Sequence, residues 1–322
     1  MRFLAFISLI ALAPLMMPQP ASAEDTVQPP GVIGQPGGSG PYPAIAEARN
    51  DAPGYTIYRP AKQPKIRLPL VLWGNGGCRD NGLSASHFLR NIASHGYVVI
   101  ANGAPRIETA ALAVLPPVNS PPRQSADAPA SLPNRAADQT SVTQMLSAID
   151  WARAVADRPS DPLFRKIDTS RIGALGHSCG GLQALSAGLD PRVDAVIAFN
   201  SGVYNRTGTG LSGVRITKSD LARLHTPVAY FIGGPGDIAF PNAEDDVARI
   251  THVPVFLGNL PVGHGGTFAL NNGGDWGRVA TAWLDWQIKG DAQAARWFVG
   301  PDCTLCTSFG WTITRKQFPE KP

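Results

Sequence analysis

The chain has 322 residues, of which 43% are hydrophobic, enough for a sizeable buried core in one or two domains. Gly and Pro contribute 34 and 30 residues, about a fifth of the chain, which fits a globular protein with long loops and excludes a fibre. The net charge is +4, and the basic residues are scattered among acids with no Lys/Arg run, which argues against a nucleic-acid surface.

The first 23 residues have the pattern of a leader. Arg2 gives a positive start, residues 3–17 are mostly apolar, and Ala21-Ser22-Ala23 is a small-residue cleavage site that leaves Glu24 to open the mature chain. Loss of Arg2 with the leader lowers the net charge from +4 to +3. The apolar run is short for a membrane span, and no other long apolar segment follows, so a secreted or periplasmic protein without a span in its mature chain is expected. Residues 24–54 are rich in Pro and Gly and read as an extended N-terminal segment. A single catalytic domain is expected over 55–322.

From residue 55 the hydrophobic pattern alternates between strand and helix periods. Residues 55–58 alternate as a strand, and 68–73 form a short apolar run ending at Gly74. Residues 84–95 are helical, with Phe88, Leu89 and Ile92 on one face, and 97–101 form the next buried strand. Residues 104–137 hold Ala, Pro and Ser without periodicity, which fits either a lid over a site or a passive surface loop. A helix is expected over 138–156, where Met145, Leu146, Ile149 and Ala152 recur at helical spacing. Strands at 171–175, 193–199, 228–232 and 253–257 then interleave with helices at 180–188, 243–250 and 276–288. This order predicts an α/β fold: a mostly parallel sheet with helices on both faces and functional groups at the carboxyl ends of its strands.

Gly176-His177-Ser178-Cys179-Gly180 falls between a predicted strand and a predicted helix. That is the Gly-x-Ser-x-Gly nucleophile elbow in its proper context. The serine sits on a tight, strained turn, and side chains two residues before and after it would clash. The turn would hold the hydroxyl above the sheet at a helix N-terminus, where free N–H groups and the helix dipole favour negative charge. A serine hydroxyl needs a base, and His264 follows the 253–257 strand in a glycine-rich loop. His225 and His252 precede strands, at the wrong end of the sheet. His87 and His95 come before the serine, and His177 is locked beside it. The acid is expected after the preceding strand, at Asp237 in Gly233-Gly-Pro-Gly-Asp237, with Asp245 and Asp246 as rivals inside a helix. For an oxyanion, one backbone donor is Cys179, and Asn75 or Gly76 in the loop after the 68–73 strand is the other. No metal or organic cofactor is needed by these groups.

An exported chain holds its cysteines in an oxidising setting. Cys303 and Cys306 are read as a short-loop disulfide, since no second cysteine pair with zinc spacing exists. If both oxyanion donors converge on one point, Cys78 and Cys179 come close together, and either a disulfide or two free buried thiols would satisfy that geometry.

These residues resemble the α/β-hydrolase superfamily, and within it the dienelactone-hydrolase-like and cutinase-like or polyester-degrading exported esterases. The resemblance spans residues 55–310 and rests on Val71-Leu-Trp-Gly-Asn-Gly-Gly77, Gly176-His-Ser-Cys-Gly-Gly181 and Gly233 to Pro241 together with His264. It implies an esterase with a Ser178–His264–Asp237 triad acting on a small-molecule or polymeric ester. In polyesterase-like members a Gly-aromatic loop supplies the first oxyanion donor, and Asn75 stands at that position. Their acid lies in an Asp-x-x-x-Pro segment, which Asp237-Ile-Ala-Phe-Pro241 resembles, and a disulfide follows their C-terminal helix. The aromatic-clamp Trp of that group is replaced here within Ala198-Phe-Asn-Ser-Gly202, so the resemblance implies acyl-ester chemistry more than a polyester substrate. The same three groups could also serve a peptidase or an acyltransferase, and the scaffold could carry a non-catalytic binding protein.

Overall fold

The computed structural model describes residues 26–107, 139–205 and 214–318. The leader and nearly all of the possible lid at 104–137 lie outside the described residues. In chain order the strands and helices are β1 (Thr26–Val27), β2 (Gly31–Gly37), β3 (Ala44–Ala48), β4 (Tyr55–Pro60), β5 (Leu68–Gly74), α1 (Ser86–Ser94), β6 (Val98–Asn102), β7 (Arg106–Ile107), α2 (Val142–Ala156) and β8 (Ile167–His177). They continue with α3 (Cys179–Ala187), β9 (Ala195–Phe199), β10 (Val228–Ile232), α4 (Phe240–Arg249), β11 (Val255–Asn259), α5 (Gly274–Lys289), α6 (Ala292–Ala295), α7 (Thr304–Thr307) and β12 (Thr312–Lys316).

Among the described residues the architecture is α/β, built on one large mixed sheet of ten strands in the order β12-β11-β10-β9-β8-β5-β6-β4-β3-β2. The six strands from β11 to β6 run parallel. Antiparallel strands extend both sides, with β12 on one and β4, β3 and β2 on the other. β5 shows why the centre is apolar throughout. Successive side chains point to opposite faces, so Leu70 and Leu72 join the core on one side while Val71 and Trp73 join the core on the other. The first of these cores takes Met145 and Ile149 of α2, Leu185 of α3 and Val247 of α4. The second takes Phe88 of α1 and Trp276 and Trp283 of α5 and is rich in aromatic rings. Helices on both faces follow from strands that are apolar on both faces.

Three differences from the sequence-based expectations have local causes. The Pro- and Gly-rich stretch read as an extended lead-in contributes β2 and β3 to the sheet, held against α1 by Arg90 donating to the Ile33 carbonyl at 2.7 Å. The helix expected from 138 begins at Val142, because Ser141 caps it by accepting from the Gln144 amide at 3.1 Å. β12 had no counterpart in the sequence reading. It is a polar edge strand whose register against β11 pairs Thr312 with Asn259 and Lys316 with Val255. Among the described residues no helix is long and apolar enough to cross a membrane.

Candidate active site

β8 ends at His177, and Ser178 turns the chain into α3 with φ 53° and ψ −117°, a left-handed conformation costly for a residue with a side chain. The two glycines of the elbow are required by contact. A Cβ on Gly176 would lie 2.0 Å from the Gly180 carbonyl oxygen, and one on Gly180 would lie 2.0 Å from the Gly74 carbonyl oxygen. The turn is tied to the end of β9, since the Ser178 amide donates to the Phe199 carbonyl at 2.9 Å and the Ser201 hydroxyl donates to the Ser178 carbonyl at 2.7 Å.

The structure brings Ser178, His264 and Asp237 into one hydrogen-bonded chain. His264 Nε2 lies 3.0 Å from Ser178 Oγ, and His264 Nδ1 lies 2.7 Å from Asp237 Oδ1. Asp237 follows β10 and its side chain is fully buried. Its oxygens also accept from the Ala239 amide at 2.9 Å, the Gly233 amide at 3.0 Å and Asn200 Nδ2 at 2.7 Å. Burial alone would raise the carboxyl pKa. The donors from His264, Ala239, Gly233 and Asn200 outweigh that penalty and hold it at about 2, so the group is a carboxylate. Because the carboxylate accepts, the His264 hydrogen sits on Nδ1 and Nε2 presents its lone pair to the serine hydroxyl.

The rivals lie elsewhere. Asp245 pairs with Arg249 and Lys218, and buried Asp246 accepts from Lys218 and the Val203 amide. His252 contacts the Leu224 carbonyl at 2.8 Å, a packing role.

Of the other predicted residues, Asn75 and Gly76 fall in the loop after β5. Asn75 is fully buried, but its side chain braces the loop. It donates to the carbonyls of Asn102 and Arg79 at 2.8 and 3.0 Å and accepts from Trp73 Nε1 at 2.8 Å. Gly76 opens a short 3-10 turn that ends at Cys78. Cys179 is the first residue of α3, where a helix leaves its backbone N–H without an intrahelical acceptor. The two loops meet. Cys78 and Cys179 lie at disulfide distance with their Cα atoms 5.2 Å apart, and Cys303 and Cys306 form a second such pair. Beside Ser178 and His264 a cleft of about 50 Å³ is lined by Leu182, Tyr204, Ile238 and Asn242.

Two residues escaped the sequence reading. Asn200, at φ 45° just past β9, donates to Asp237 and to the Gly263 carbonyl, and its own oxygen accepts from Trp276 Nε1 at 3.0 Å. A usable signal existed: Asn200-Ser201 is a polar pair directly after a buried parallel strand, where the fold gathers functional groups. His177, locked beside Ser178 in the sequence, reaches the His264 backbone with its ring. Compared with known proteins, the chain matches no family model and no curated protein at significant similarity.

Proposed function

We propose that the protein is an exported serine hydrolase of the α/β-hydrolase fold that cleaves carboxylic esters through an acyl-enzyme. The observation that carries this reading is the 3.0 Å contact between His264 Nε2 and the hydroxyl of a serine held at positive φ on a strand-to-helix turn. Ser178 attacks the ester carbonyl and passes its proton to His264, whose imidazolium is stabilised by the Asp237 carboxylate. The oxyanion rests on the backbone N–H of Cys179 and of Asn75 or Gly76. His264 then protonates the departing alcohol, and a water molecule activated by the same imidazole releases the acid and restores the serine. Support for the fold assignment comes from the six parallel strands, the tight turn between β8 and α3, and the positions of Asp237 after β10 and His264 after β11.

The test is hydrolysis of p-nitrophenyl esters and labelling by a fluorophosphonate. Wild-type protein should do both, and Ser178→Ala should do neither while keeping its circular-dichroism spectrum. Undiminished hydrolysis by Ser178→Ala would remove the serine from the mechanism, and an unlabelled, inactive wild type would point to a binding protein on this scaffold.

A further inference from the structure

We propose that His177 is a positioning residue: it clamps the His264 backbone to the Ser178 side of the site and so sets the reach of the base toward the nucleophile. The inference rests on the acyl-transfer reading and assigns a task to a side chain which that mechanism leaves unused.

The ring of His177 stands between two backbone segments far apart in sequence. On one side its Nε2 lies 2.8 Å from the His264 carbonyl oxygen. A carbonyl only accepts, so Nε2 carries the hydrogen. On the other side the ring lies against the loop after β5. A Cβ built on Gly76 would come within 2.5 Å of His177 Nδ1 and 3.1 Å of Cε1, so the ring occupies the space that any side chain at 76 would need. Phe268, 5.0 Å away between ring centres, and the imidazole of His264, 5.3 Å away, complete the surroundings. Burial lowers the His177 pKa to about 4, with the bond to the His264 carbonyl opposing it, so the ring is neutral at pH 7 and holds this one tautomer.

The need for such a clamp follows from the loop it holds. His264 is flanked by Gly263, Gly265 and Gly266, the residues that restrict a backbone least. Several tethers act from the Asp237 side. The Gly263 amide donates to the Gly233 carbonyl at 2.9 Å, the Gly263 carbonyl accepts from Asn200 at 3.0 Å, and the imidazole itself meets Asp237. Within the loop the Gly266 amide donates to the Gly263 carbonyl at 3.1 Å, and the bond from His177 ties the His264 carbonyl to the residue beside Ser178. A displacement of about 1 Å would turn the 3.0 Å contact to Ser178 into no hydrogen bond at all.

Two variants separate a clamp from a filler. His177→Phe keeps a ring of similar shape and loses the donor. His177→Gln loses the ring and keeps a terminal amide able to reach the same carbonyl. Each is measured for kcat and KM on a short-chain p-nitrophenyl ester, for its rate of fluorophosphonate labelling, and for its urea midpoint. Expected is a kcat loss of roughly 10- to 100-fold in His177→Phe with KM within about twofold, and recovery by His177→Gln to within about fivefold of wild type. Wild-type kcat in folded His177→Phe, or a folded His177→Gln as slow as His177→Phe, overturns the clamp. Where His177→Phe fails to fold, His177→Gln decides alone, with near-wild-type kcat supporting the clamp and a deep loss refuting it. A wild type that neither hydrolyses nor labels takes down the parent reading and this one with it. A wild type that labels while His177→Phe keeps full kcat takes down this one alone.

Discussion

Removing the Cys78–Cys179 link should cost the protein far more than removing the Cys303–Cys306 link. The two pairs differ in the length of chain they close, with sequence separations of 101 and 3. A cross-link stabilises chiefly by restricting the unfolded chain, and the restriction grows with the logarithm of the loop. A loop of about 100 residues corresponds to about 4.7 kcal/mol at 25 °C, and one of about four residues to about 2 kcal/mol. Packing adds to the difference. Cys78 and Cys179 are 0% and 1% exposed within the core, so truncating both also leaves a small void. Alanine is the right replacement, since serine would bury hydroxyls. The assay is urea unfolding of wild type, Cys78→Ala/Cys179→Ala and Cys303→Ala/Cys306→Ala. The first double variant should lose about 4–5 kcal/mol and the second about 2 kcal/mol. Thiol titration of denatured, unreduced wild type should find no free thiol. Equal losses in the two variants, or a loss below about 1 kcal/mol in the first, would refute the loop argument.

Further outcomes follow from the site. Every contact to the Asp237 oxygens comes from a donor, so Asp237→Asn must set an amide N–H against one of them, and kcat should fall about 10⁴-fold with little change in KM. Because the Asp237 pKa of about 2 lies below its ordinary 3.8, its contribution to stability is complete above about pH 4 and is lost as pH falls toward 2. The unfolding free energy of wild type should fall by about 2 kcal/mol more than that of Asp237→Asn across that window, read by urea unfolding. Gly180→Ala, facing the Gly74 carbonyl at 2.0 Å, should lower the melting temperature sharply, whereas Gly236→Ala, with nothing within 4 Å, should stay within about 0.5 kcal/mol of wild type. Trp276→Phe removes the donor to the Asn200 oxygen at 3.0 Å and should cost about 1–3 kcal/mol, read by urea unfolding.

Much of this molecule is local and therefore legible. Apolar runs of five to seven residues, as at β5 and β10, and helical spacing, as at α2, are set by the backbone's own periods and survive almost any tertiary context. The Gly176–Gly180 turn is likewise written in five consecutive residues, because sterics at that turn admit little else. Chain order after the turn puts Asp237 and His264 first among the candidates, with Asp245 and Asp246 still open as rivals to Asp237. What folding alone decided depends on residues that meet across the chain. Asn200 reaches Asp237 over 37 positions, and His177 reaches the His264 carbonyl over 87. Asparagine and histidine serve in caps, turns and surfaces everywhere, so nothing in their neighbours' identities announces such a partner. The edge strands β2 and β12 are of the same kind: Gly, Pro and polar residues suit loops as well as strands, and only an open sheet edge to pair with makes them strands. The sequence likewise admits Cys78 and Cys179 either bridged or free, and only the packing of α3 against the loop after β5 places their Cα atoms 5.2 Å apart.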